Sequence, residues 1–216
     1  AEICLKHNVL MVSDEIHCDL ILDADKTHVP LASLSPEISA RTLTLMAPSK
    51  TFNLAGLGCA FGIVQDPDLR ATLQKAAFGH LPFVNVMGFA GALAAYQHGA
   101  DWLAALLPYL RANRDYVYDF VAQNLPGVRA TSPEGTYLAW LDCRETGITD
   151  PYTFFLETAK VGFSDGKDFG KPGEGFVRLN FGTTRATLTE ALTRVQNALT
   201  TYQADTSTAR IDQMPQ

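Results

Sequence analysis

Apolar and polar positions alternate in two styles along this chain. In the first third the apolar runs are short and nearly continuous. Val9-Leu10-Met11-Val12-Ser13 and Thr42-Leu43-Thr44-Leu45-Met46 both read this way, the pattern of parallel strands covered on both faces. Cys59–Val64 predicts a further strand. Ala1 to Asn8 reads as the last turns of a helix with a His7-Asn8 stop, so the chain opens inside a βαβ unit. Residues 23–41 are polar and turn-rich and predict a surface excursion. Asp66-Pro67-Asp68 is a helix start, with Asp as N-cap and Pro at the first helical position, and the helix should run to about Phe78. Residues 85–98 are apolar or small and predict a buried helix ending at Gly99. Asp101 should cap a long helix to about Leu125, with apolar positions at helical spacing and a kink at Pro108.

The last third changes style. Val128–Thr131 and Thr136–Leu141 read as strands joined by the Ser132-Pro133-Glu134-Gly135 turn. Asp150-Pro151 starts a helix through about Lys160. Residues 162–175 hold five glycines and read as a loop. Phe176–Phe181 is a strand with Arg178 in its middle, and Thr187 to about Tyr202 is a closing amphipathic helix. The pattern predicts the C-terminal part of a large domain over 1–100, a bridging helix over 101–125, a small α+β domain over 126–204 and a frayed tail over 205–216.

Composition narrows the function classes. The chain has 216 residues, 47% hydrophobic and 19% charged, with a formal net charge of −6. No basic block is present, which argues against nucleic acid or an anionic membrane as partner. No apolar run reaches the roughly 20 residues of a membrane span. The four cysteines (Cys4, Cys18, Cys59, Cys143) are scattered without a CxxC, which fits free thiols in a reducing, cytoplasmic setting. The histidines are dispersed and suggest no metal site.

Candidate chemistry gathers around Ala47-Pro48-Ser49-Lys50-Thr51-Phe52-Asn53. A strand delivers a Ser-Lys pair onto a loop, among small and apolar neighbours that would solvate an ammonium poorly. A poorly solvated lysine favours the free amine, the form that attacks a carbonyl. A lone loop lysine is ordinarily a solvated surface residue. Asp14 stands at the carboxyl end of the first strand, where ligands sit in α/β sheets, although an acid there is often a turn or cap residue.

Taken together, Val12-Ser13-Asp14-Glu15-Ile16-His17-Cys18-Asp19-Leu20, Ser49-Lys50-Thr51-Phe52-Asn53-Leu54-Ala55-Gly56-Leu57 and Phe176-Val177-Arg178-Leu179-Asn180-Phe181-Gly182 resemble the class I/II aminotransferases. These are pyridoxal-phosphate enzymes of fold type I, and the nearest likeness is to the cystathionine β-lyase, or carbon–sulfur lyase, branch. Thr136-Tyr137-Leu138-Ala139-Trp140-Leu141-Asp142 matches as well, and the resemblance runs from residue 1 to about 202. It implies an α/β fold: part of a large domain with a mostly parallel sheet, followed by an α+β small domain.

The resemblance also implies roles. Lys50 would carry pyridoxal 5'-phosphate and take the substrate's Cα proton. Asp14 would pair with the ring nitrogen, His17 would stand near the 3-oxygen and Ser49 would contact the phosphate. Arg178 would grip the substrate carboxylate, a task suited to its planar fork. Two positions depart from the wider family: Ala47 stands where Ser or Thr is frequent, and Gly58 where an Arg often clamps the phosphate. The implied activity is β-elimination on an L-cysteine S-conjugate such as cystathionine. The alternatives are an aminotransferase using the same residues, or an aminotransferase-like effector-binding module without catalysis. A small amino acid as substrate and a homodimer are implied by the same likeness. Relatives carry a substantial N-terminal half, so the chain is expected to be a C-terminal portion with unpaired strand edges and exposed apolar faces.

Overall fold

In the computed structural model, which describes residues 1–211, the two apolar runs of the first third pair as parallel strands. β1 (Met11–Asp14) follows a short helix, α1 (Glu2–Lys6), and β2 (Thr42–Met46) lies beside it with Met11 opposite Thr42 and Asp14 opposite Leu45. Between them, Leu20 and Leu22 are fully buried, and α2 (Pro36–Ala40) is capped by Ser35, whose Oγ accepts from the Ile38 N–H at 3.2 Å. The polar stretch 23–41 therefore carries a crossover helix.

β3 (Phe61–Val64) pairs with β2 antiparallel, giving the order β1-β2-β3. The sheet expected to be mostly parallel is thus mixed, one pair of each kind. The connection from β2 to β3 holds only turns and a 3-10 turn at Ala55–Leu57, with no α-helix to carry the chain across for a parallel return.

α3 (Pro67–Ala77) begins as its sequence predicts, with the Asp66 carboxylate accepting from the Leu69 N–H at 2.7 Å. α4 (Val86–His98) is capped by Asn85 but is not the buried helix expected. Only Gly88 and Ala92 are buried, while Val86 is 78% exposed and Met87, Phe89 and Leu93 also face solvent. The small face packs closely, for a Cβ on Gly88 would lie 2.7 Å from the Leu57 carbonyl oxygen, and the large side chains are left outside. On the sheet, Val12 is 65% exposed, and Phe61 and Ile63 are exposed too.

The chain divides into two compact units, Ala1–Leu107 and Pro108–Gln216, and the division falls inside α5 (Ala100–Asn124). Pro108 lies within that helix, and Asp101 belongs to its first turn instead of capping it. The second unit is an antiparallel sheet of order β4-β5-β7-β6, built from β4 (Arg129–Thr131), β5 (Leu138–Asp142), β6 (Ser164–Asp165) and β7 (Phe176–Asn180). One face of each central strand is buried: Ala139 and Leu141 on β5, Val177 and Leu179 on β7. Val117 and Val121 of α5 join that core with Leu188, Leu192, Val195 and Leu199 of α7 (Arg185–Ile211).

Asn113, fully buried on α5, is a polar node in this core. Its Nδ2 donates to the carbonyls of Phe181 and Thr183, both at 2.9 Å, and its Oδ1 accepts from Arg185 Nε at 2.9 Å. The helix begun by Asp150-Pro151 is α6 (Pro151–Phe154), continued by a π-helical turn at Phe155–Ala159 and ended by Lys160 at φ 55°. The glycine-rich segment 162–175 holds β6 and two 3-10 turns. α7 continues to Ile211, well past Tyr202, because nothing from 186 to 211 is Pro or Gly; the rest of the expected tail, 212–216, lies outside the described residues. Among the described residues, no helix is long and apolar enough to cross a membrane.

Candidate active site

The parallel pairing of β1 with β2 sets the geometry of the first unit. It places the carboxyl ends of both strands at one edge, where α/β sheets bind ligands. Asp14 is the last residue of β1, and the loop bearing Ser49 and Lys50 leaves the same end of β2. Asp14 is exposed, and its Oδ1 accepts from the Ile16 N–H at 3.2 Å, so the carboxylate shapes the turn that carries His17. His17 is half-buried and engaged with its surroundings.

Ser49 and Lys50 are half-buried in a turn held by the Phe52 N–H on Pro48 O at 2.9 Å and the Leu54 N–H on Ser49 O at 3.0 Å. Lys50 therefore stands on a turn with access to solvent, not sealed in the apolar pocket its neighbours suggested. Among the described residues its ammonium has neither an ion pair nor a hydrogen bond. Gly58, where the wider family often has Arg, has φ 59° and ψ 40°, a left-handed conformation that favours glycine.

Three supporting residues escaped sequence reasoning. Glu15 is only 5% exposed, and its carboxylate accepts from Ser13 Oγ at 3.0 Å, from the Leu31 N–H at 3.0 Å and from His28 Nε2 at 2.7 Å. Burial pushes this carboxyl up, but the hydrogen bonds from His28, the Leu31 N–H and Ser13, with the His28 charge, outweigh it and hold the group below the usual glutamate range. Thr51, 1% exposed, donates its hydroxyl to Asp19 Oδ2 at 2.9 Å. Trp102 Nε1 donates to the Thr51 carbonyl at 3.2 Å. Apart from Ser13, each partner lies from 13 to 51 residues away, and no periodic signal joins such positions.

Arg178 belongs to the second unit. It sits on β7, between β5 and β6, so it does not stand on a sheet edge. Trp140 is opposite it on β5 and Ser164 on β6. Arg178 is half-buried; its Nη2 donates to Ser164 Oγ at 3.3 Å and its guanidinium lies 4.5 Å from the centre of the Phe169 ring. Tyr137 is also near: burial pushes its hydroxyl up while the Arg178 charge draws it down, with a net rise.

Comparison with known proteins agrees with this architecture. The sequence model of the family described as Aminotransferase class I and II matches residues 1–195. Cystathionine beta-lyase PatB of Bacillus subtilis (strain 168) is 40% identical over 204 residues, which cover 92% of this chain and 52% of that protein. The crystal structure of OvoB superposes with a TM-score of 0.88 at 45% identity, over 92% of this chain and 52% of that one. Cystalysin from Treponema denticola, whose structure contains a pyridoxal 5'-phosphate cofactor, gives a TM-score of 0.86 at 33% identity, over 93% of this chain and 52% of that one. The chain thus spans about half the length of the relatives it matches. Its fold is that of the fold type I pyridoxal-phosphate enzymes, and the chain belongs to the aminotransferase class I and II family.

Proposed function

We propose that the protein is a pyridoxal-phosphate-dependent carbon–sulfur β-lyase that cleaves L-cysteine S-conjugates such as cystathionine to a thiol, pyruvate and ammonia. The observation that carries the reading is the shared strand end that bears both Asp14 and the Lys50 loop. The name of the Bacillus subtilis relative, cystathionine beta-lyase, supports the lyase branch.

The donor set suits pyridoxal phosphate. An amine without a salt-bridge partner (Lys50) can bond an aldehyde carbon, a carboxylate (Asp14) can pair with a protonated ring nitrogen, and a hydroxyl (Ser49) can donate to a phosphate. When bound, the cofactor supplies the electron sink that lets negative charge develop at the substrate's Cα. Lys50 Nζ, once free, takes the proton from that Cα. The Asp14 carboxylate keeps a proton on the ring nitrogen by opposite charge at close range. His17 can hydrogen-bond the ring oxygen. Arg178 holds the substrate carboxylate through its fork. With that proton lost, the Cβ–S bond would break, the sulfur would leave and take up a proton as a thiol, and water would hydrolyse the remaining three-carbon fragment to pyruvate and ammonia.

The aminotransferase reading uses the same residues and is supported by the name of the family itself. We read the protein as a homodimer acting on a small amino acid in the cytoplasm. The four free cysteines fit a reducing compartment.

The test is addition of pyridoxal phosphate to the purified protein, with Lys50→Ala beside it. The expected result is a visible absorption band, fixed to Lys50 by borohydride, that the variant lacks. Pyruvate released from cystathionine without an added keto acid supports the lyase; strict dependence on a keto acid supports the aminotransferase. A band retained by Lys50→Ala overturns the assignment.

A further inference from the structure

The turn after β1 and the loop after β2 are joined by one side-chain bond. Asp19 closes the turn that begins at Asp14 and contains His17, and its Oδ2 accepts the Thr51 hydroxyl at 2.9 Å. Thr51 directly follows Lys50. Its side chain is almost completely buried, and its carbonyl accepts Trp102 Nε1 at 3.2 Å. The Lys50–Thr51 segment is therefore held from opposite ends of the Thr51 residue, by a carboxylate on the hydroxyl and an indole on the carbonyl.

The surroundings of Asp19 are dense. The Cys18 thiol is pushed up by burial and then by the Asp19 charge. The Tyr96 hydroxyl is likewise pushed up by burial and then by Asp19. Tyr96 packs edge-on against Phe52, next to Thr51, with ring centres 6.0 Å apart. The cross-link lies inside a packed cluster, where a charged acceptor makes a stronger bond than a neutral one.

We propose that Asp19, acting through Thr51, is a positioning residue that sets the Lys50 loop against the Asp14–His17 turn. Without the bond both segments keep their strands, since β1 and β2 pair through their backbones. What they lose is the fixed offset between the acid and the amine. The catalytic meaning of this offset rests on the function proposed above; the cross-link itself does not.

Two substitutions at Thr51 separate the hydroxyl from the packing. Thr51→Val keeps the shape and removes the donor, while Thr51→Ser keeps the donor and removes a methyl group. The first readout is hydrogen exchange in the 216-residue chain without cofactor. The reporters are the Cys18 and Leu20 amides, which bond to the carbonyls of Glu15 and His17 at 3.0 and 2.9 Å. Thr51→Val is expected to speed their exchange by about fivefold, the equivalent of one lost hydrogen bond, and Thr51→Ser to leave it near wild type. Asp19→Ala should act like Thr51→Val, and the double variant should add little.

Unchanged exchange in Thr51→Val overturns the proposal, as does equal acceleration in Thr51→Ser, which would show packing alone. The second readout is the affinity for pyridoxal phosphate, expected to fall about three- to tenfold in Thr51→Val and to recover in Thr51→Ser. Normal affinity in a Thr51→Val chain that exchanges faster refutes the positioning role. A wild-type chain that takes up no pyridoxal phosphate counts against the proposed function, and the exchange data then decide the cross-link by themselves.

Discussion

Replacing Glu15 with Ala should destabilise the first unit by about 3–5 kcal/mol, the summed cost of leaving three hydrogen-bond donors without their buried acceptor. The structure supports the upper part of the usual range. The side chain is 4% exposed, and three donors converge on it: a hydroxyl, a backbone N–H and an imidazole. Alanine leaves all three without their acceptor. The Leu31 N–H is the most costly, because a backbone group cannot turn away to water.

Urea unfolding followed by fluorescence measures the loss. The sequence has two tryptophans, so a Trp140→Phe background leaves Trp102 of the first unit as the reporter. At a slope of about 2 kcal/mol per molar urea, the midpoint should fall by roughly 1.5–2.5 M. The effect also has a pH signature. The folded carboxyl titrates below its unfolded value of 4.5, so its contribution is present above that pH and disappears as the pH falls through the lower folded value. The gap between wild type and variant should therefore be full at pH 7 and narrow below pH 4.5. A midpoint shift equivalent to less than about 1 kcal/mol at pH 7 would refute the reasoning, because it would mean the three donors find other acceptors.

Three other outcomes are expected. Arg178→Lys keeps the charge but loses the fork and the contact with Phe169, and should raise the substrate KM about 10- to 100-fold with a smaller change in kcat, measured by pyruvate release. Gly166→Ala should unfold the second unit or cost several kcal/mol by circular dichroism melting, because its Cβ would meet the Gly173 and Phe176 carbonyl oxygens at 2.2 and 2.5 Å. Cys143 should resist alkylation at pH 8 until urea unfolds the chain, as read by mass spectrometry. Burial, and then the Asp142 charge, pushes its thiol up to about 12. A raised folded value stabilises at low pH, so this contribution should be lost between pH 9 and about 12.

Much of the fold was legible because it is written in local chemistry. The caps at Asp66 and Asp150 accept the amides three residues on, as the Asp-Pro pairs announce. The β1 and β2 runs pair in parallel as their unbroken apolar character suggests. Direction was less legible for β3, since four residues carry no mark of which way they run and the sparse connection decided it. Burial was misread for α4, because apolar residues show a preference for cover and not its presence in this unit. Asp14, Ser49 and Lys50 could be found because they end strands. Glu15, Asp19 and Thr51 could not, because their worth lies in partners distant in sequence. Asn113 is the extreme case: a polar residue on an apolar helix face, intelligible only once Phe181 and Thr183 present their carbonyls to it.

Arg178 is fixed before any ligand arrives. The Phe169 ring lies against its guanidinium and Ser164 Oγ accepts a hydrogen bond from its Nη2, while β7 holds its backbone between two neighbours. A long cationic side chain forfeits about 2 kcal/mol of rotamer entropy when it is held in one conformation. Here that loss is incurred when the unit folds and is absent from the association step. If Arg178 holds a substrate carboxylate as proposed, that carboxylate would meet a side chain already ordered, and Phe169 would contribute to affinity without touching the ligand.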